Sequence, residues 1–129
     1  MTGDKSDLIN YRLKRADETI AEIDDLVKLG YNHTAINRIY YGCFYAISAL
    51  LLKHGIQAQT HAGVRQMLGL HFTKKGLVSK ELNRFYNILF DKRHTGDYDD
   101  FIEVDENTVA ELLPPAKELI KRIKELIEM

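Results

Sequence analysis

The stretch NHTAINRIYYGCFYAISALLLKHG, Asn32 to Gly55, constrains the fold more than any other part of the chain. Wound as a helix at about 100° per residue, it brings Ala35, Gly42, Ala46 and Ala49 into one narrow arc. Such a stripe of small residues lets a neighbouring helix lie close. Ile36, Ile39, Cys43, Phe44, Ile47, Leu50 and Leu51 fill most of the remaining circumference. A helix that is apolar nearly all round belongs at the centre of a bundle. Its last arc carries Asn37, Arg38, Tyr41, Tyr45 and Ser48, which either line a cleft or pack their rings and send hydroxyls to the rim.

The punctuation around this segment is sparse. Gly30, Gly55, Gly76 and Gly96 stand where C-terminal glycines end helices, and Ser6, Thr60, Ser79 and Asp105 where N-caps begin them. The spacing predicts helices over about 7–29, 32–54, 61–74, 80–95 and 105–128. No strand-like alternation occurs, so the expected fold is an all-α bundle of four to five antiparallel helices, one domain over residues 1–129. Pro114 and Pro115 interrupt the apolar pattern of the last segment, which predicts either a kink or a fresh helix start there.

Composition excludes several classes of function. A formal net charge of -1 argues against a surface that coats nucleic acid. The lone Cys43 rules out an intrachain disulfide and fits a reducing cytoplasm; it sits on the apolar side of the central helix, as packing. No signal peptide precedes the first helix, and no uninterrupted apolar run reaches the roughly 18–20 residues of a bilayer span. Among His33, His54, His61, His71 and His94 there is no HxxxH or Cys/His cluster, so neither a metal nor a cofactor is expected. HAGVRQMLGLHF has glycines but no strand context and no Walker lysine, so it is not a phosphate loop.

What remains is LFDKRHTGDYDDF, residues 89–101. Leu82, Phe85, Tyr86 and Leu89 share one face of the fourth helix, and Arg93 continues that face one turn on. A guanidinium aimed at the bundle needs acceptors, either Asp97 or helix-terminal carbonyls. The Arg93–His94–Asp97–Tyr98 corner therefore has a structural reading, as an ion-paired joint. The chemical reading adds Asn37, Arg38, Tyr41 and His61 as groups that hold a ligand.

Together, AINRIYYGCFYAISALLLKHG, THAGVRQMLGLHF and LFDKRHTGDYDDF resemble the successive signatures of HEPN-domain proteins, closest to the small stand-alone prokaryotic, UPF0332-like branch. The resemblance runs from about Ala16 to Ile127. It implies a helical bundle, often dimeric, frequently paired with a minimal nucleotidyltransferase in a toxin–antitoxin system. It also implies, for many members, metal-independent RNA cleavage by an arginine followed after four to six residues by a histidine. There the arginine stabilises phosphate charge while the histidine moves a proton at the ribose 2′-hydroxyl.

Arg93 matches that arginine, but Tyr98, Asp99 and Asp100 stand where the histidine belongs. Instead Arg93, Asp97 and Tyr98 fit the Arg-x-x-x-Asp-Tyr form of this branch. Asp97, Asp99, Asp100, Glu103, Asp105 and Glu106 crowd negative charge nearby, which opposes phosphate binding. The expected function is thus an interaction module of little or no catalytic power, partner to a minimal nucleotidyltransferase. An endoribonuclease using Arg93 with His94, His61 or Tyr98 is the alternative. A nucleotide- or anion-binding bundle in which Arg38 and Arg93 converge on a phosphate is a further one. A homodimer is expected too, from what the resemblance implies and because 7 Tyr and 5 Phe exceed the needs of a small core.

Overall fold

The computed structural model describes residues 2–93 and 105–129. In chain order the helices are α1 (Thr2–Ala21), α2 (Ile23–Lys28), α3 (Asn32–Lys53), α4 (His61–Leu68), α5 (Lys80–Lys92) and α6 (Glu106–Glu128). A π-helical turn, Gly69–Thr73, prolongs α4. No strand occurs among the described residues, and the fold is an all-α bundle.

Local chemistry accounts for most of the boundaries. Thr60, Ser79 and Asp105 cap their helices by accepting from the backbone N–H of Gly63, Leu82 and Thr108 at 2.9, 3.1 and 3.0 Å. Gly30, Gly55 and Gly76 have φ of 82°, 70° and 78°. Beside them Tyr31, Ile56 and Leu77 donate back to Leu26, Leu51 and Phe72 at 2.8, 2.9 and 2.9 Å, the closing bond of a Schellman turn. Gly96 lies outside the described residues.

Three boundaries depart from the sequence pattern. Ser6 lies inside α1 and is not its cap, since the helix already runs from Thr2. The expected helix over 7–29 is broken at Glu22, whose N–H donates to Thr19 three residues back at 3.3 Å, tightening the chain into a turn. The segment 61–74 changes pitch at Gly69, whose carbonyl accepts from Lys74 five residues on at 2.9 Å.

α3 is the axis of the bundle, and α1 and α6 pack most extensively upon it. Its Ala35, Ile36, Ile39, Tyr40, Cys43, Ala46, Ile47, Ala49, Leu50 and Leu51 are all buried. Gly42 marks the close approach of α1: a Cβ there would stand 2.7 Å from Ile20 Cδ1 and 2.9 Å from Ile20 Cγ1. By length and mean hydropathy α3 would pass as a bilayer span although Asn37, Arg38 and Ser48 interrupt its apolar run, but it is mostly buried, as the core helix of a bundle is.

α6 contributes Val109, Leu112, Ala116, Leu119, Ile120, Ile123 and Leu126 to the core and runs on through Pro114 and Pro115. The prolines lack the N–H groups that Ala110 and Glu111 carbonyls would accept four residues on. Both of those residues are exposed, so water can take the missing donor's place. The helix therefore tolerates the pair because it falls on the solvent side.

Candidate functional site

Tyr40 of α3 organises the corner. It is wholly buried, and its hydroxyl is joined to His61 Nδ1 by a 2.7 Å hydrogen bond. The Thr60 cap, which starts α4 at His61, positions the imidazole. The Tyr40 ring lies 5.6 Å from Tyr86 at an interplanar angle of 18° and 6.0 Å from Phe90 at 74°, so α5 delivers two rings to it. Phe44 stacks on His61 at 4.4 Å, and Tyr41 meets the imidazole edge-on at 5.7 Å.

Arg93 closes the end of α5. Its guanidinium carbon stands 3.8 Å above the Phe90 centroid and 5.1 Å from that of Tyr40. Nη1 donates to the Phe90 carbonyl at 2.6 Å. This is the inward guanidinium that the apolar stripe predicts, and a helix-terminal carbonyl is one of its acceptors. The proposed contact with Asp97 lies outside the described residues, as do His94 and Tyr98. Asn37 Nδ2 donates to the Arg93 carbonyl at 3.5 Å, tying α3 to the same corner.

Of the residues singled out in the sequence, the structure brings Asn37, Tyr41, His61 and Arg93 together. Arg38 turns elsewhere: it reaches Glu22 at 3.7 Å and the buried Thr19 hydroxyl at 3.5 Å, stitching α3 to the α1–α2 break. Asn37 and Arg38 are sequence neighbours, but one helical step of about 100° sends them to different partners.

Three participants escaped the sequence reading: Tyr40, Phe90 and Arg65. Arg65 lies one turn after His61 on α4, and its guanidinium carbon is 4.3 Å from the Phe90 centroid. That i, i+4 spacing was the available signal.

The electrostatics discourage acid–base work by the buried groups. Desolvation raises the Tyr40 hydroxyl above its ordinary range, against the opposing pull of the Tyr86 hydroxyl and the Arg93 charge. Burial pushes Tyr86 much further up, and its hydroxyl completes no hydrogen bond of good geometry although Tyr40 lies beside it. Desolvation likewise holds Cys43 as a neutral thiol. At neutral pH these three are uncharged. Among the described residues no His/Cys/Asp/Glu cluster has metal-binding geometry.

Comparison with known proteins adds a frame to this geometry. The profile of the HEPN domain matches residues 9–126. A "UPF0332 protein" of Thermotoga maritima is 40% identical over 126 residues, covering 98% of this chain and 96% of its own. Two proteins of Methanocaldococcus jannaschii are also similar. "Putative toxin MJ0142" is 29% identical over 115 residues, 89% of this chain and 78% of its own. "Putative toxin MJ0605" is 26% identical over 113 residues, 88% and 84% respectively.

Proposed function

We propose that this chain, which belongs to the HEPN-domain family, works by association: it is the helical partner of a minimal nucleotidyltransferase in a toxin–antitoxin-type pair, with little or no catalysis of its own. One observation carries the reading. Arg93, at the position of the family's catalytic arginine, holds the end of α5 through the Phe90 carbonyl and two aromatic rings. The residues at the spacing of the family's histidine are Tyr98, Asp99 and Asp100. The toxin names of two relatives support the system rather than the mechanism.

We also propose a homodimer in the cytoplasm. Exposed Leu8 and Tyr11 border a cleft of about 590 Å³ between α1 and α3, which supports a covered surface. The single, buried Cys43 supports a reducing compartment.

The test identifies the product of the neighbouring gene, mixes it with the purified chain if it is a minimal nucleotidyltransferase, and follows the pair by light scattering and calorimetry; a neighbour of another kind counts against the reading. A stable complex at micromolar concentration is expected, with no RNA cleavage by the chain alone. Metal-independent cleavage that is lost in Arg93→Ala at unchanged stability would establish the competing endoribonuclease reading. That alternative draws on one feature: half-buried Arg93 lies beside the Tyr40–His61 pair.

A further inference from the structure

A groove of about 600 Å³ lies between α2 and the first half of α6. Ile23 and Val27 supply the α2 wall, and Val109, Ala110, Leu113 and Pro114 supply the α6 wall. Val27 and Leu113 are half-buried, while Ala110 and Pro114 are exposed, so apolar surface stands open to solvent along the groove. Its rim holds two carboxylates and two ammoniums: Asp24 and Lys28 on α2, Glu106 and Lys117 on α6. All four are exposed, and among the described residues none of them forms an ion pair. A rim without net charge does not attract a polyanion, whereas alternating signs suit a protein surface that presents the opposite order.

The α6 wall presents that opposite order to itself. Glu106 and Lys117 stand equally far from the Glu111–Leu112 peptide, and so do Val109 and Pro114, and Ala110 and Leu113. A two-fold axis through this midpoint lays a second α6 antiparallel on the first. Glu106 of each copy then faces Lys117 of the other, and Leu113 of each faces Ala110 of the other, a large side chain against a small one. Val109 stands level with Pro114. The two ion pairs are about 16 Å apart along the axis, so each acts at its own end of the contact. A parallel arrangement in the same register sets Glu106 on Glu106 and Lys117 on Lys117, which repels.

We propose that the α2–α6 groove is a self-association surface: α6 of a second copy of this chain lies antiparallel in it, and the contact is reciprocal. No residue lines both this groove and the α1–α3 cleft, so the chain carries two separate faces for its own kind. The inference goes beyond the dimer suggested for the cleft. With that dimer the groove produces assemblies larger than two, and without it the groove still produces a dimer. Neither outcome depends on a nucleotidyltransferase partner.

The test uses sedimentation velocity on the full chain at micromolar concentration and low salt. Leu8→Ser with Tyr11→Ser, both exposed, first removes the apolar border of the cleft, so that any remaining association belongs to the groove. A dimer is expected in this background. Adding Glu106→Lys sets lysine against lysine, and adding Lys117→Glu sets glutamate against glutamate; each should weaken the dimer about tenfold or more. An equimolar mixture of these two variants should recover it as a 1:1 heterodimer, and both changes in one chain should recover it as a homodimer. Thermal melts identify a variant that fails by unfolding, in which case the chain with both changes decides. If the parent and the Leu8→Ser, Tyr11→Ser chain have the same dimeric mass, the cleft contact fails while the groove contact stands. A monomer in that background overturns the proposal. So do single charge variants that associate as well as the background, or a mixture that stays monomeric.

Discussion

Replacing Arg93 by alanine removes three things at once. The 2.6 Å bond to the Phe90 carbonyl is charge-assisted, a class worth about 1.5–3 kcal/mol when shielded and less at this half-exposed site. The contact 3.8 Å above Phe90 adds about 0.5–1 kcal/mol, and the one 5.1 Å from Tyr40 adds less. Loss of a cation at the end of α5 contributes a few tenths more. Together these come to about 2 kcal/mol, below the roughly 3–5 kcal/mol of a fully buried pair. With an unfolding entropy near 2.1 cal/mol/K per residue, a chain of 129 residues should lose about 7 °C in melting temperature. Arg93→Lys, which keeps the charge and loses the planar fork, should lie about halfway. Calorimetric melts of the three proteins at equal concentration provide the measurement. A melting temperature for Arg93→Ala within about 1–2 °C of the parent would refute the argument, because the guanidinium would then not be holding the corner.

Other outcomes follow from the same geometry. Tyr40→Phe should cost about 1 kcal/mol by deleting the bond to His61, whereas Tyr86→Phe should be neutral or stabilising by up to about 1 kcal/mol; urea melts will read the opposite signs. Gly42→Ala should destabilise by about 1 kcal/mol, since crowding of Ile20 at 2.7 Å outweighs the gain in helix propensity, and the penalty should vanish in an Ile20→Ala background. Asp105 has its pKa lowered from 3.8 by the Thr108 N–H and then by the Thr108 hydroxyl. A depressed folded-state value means that its stabilising effect is complete above the ordinary value and fades as pH falls through the folded one. Asp105→Asn should therefore reduce the pH dependence of the melting temperature below about pH 4.

The chain by itself determined the elements and their depth. The all-round apolar circumference of Ala35–Leu51 placed α3 at the centre, and the stripe through Gly42 announced the close approach of α1. Thr60, Ser79 and Asp105 capped the helices where their hydrogen-bonding groups indicated, and Gly30, Gly55 and Gly76 ended them. These are effects of a few residues and a fixed helical period, so one strand of sequence contains them. The inward turn of Arg93 belongs here too, because it continues the face of Leu82, Tyr86 and Leu89. The break at Glu22 lies between Ala21 and Ile23, which carry no helix-breaking signal, whereas Gly69 does weaken its helix; at both places the wider packing selects the altered pitch.

Only the tertiary structure decided which side chains from different helices meet. Tyr40 finds His61 across 21 positions, and Arg65 of α4 reaches the Phe90 ring that Arg93 already covers from three residues along α5. Arg38 and Asn37, adjacent in sequence and equally plausible as ligands, were separated by the positions of α1, α2 and α5 around α3. Helical periodicity specifies a residue's direction from its own axis. It is silent about the distance and rotation of the next axis, and a shift of a few ångströms between axes decides whether a guanidinium meets a ring, a carboxylate or water.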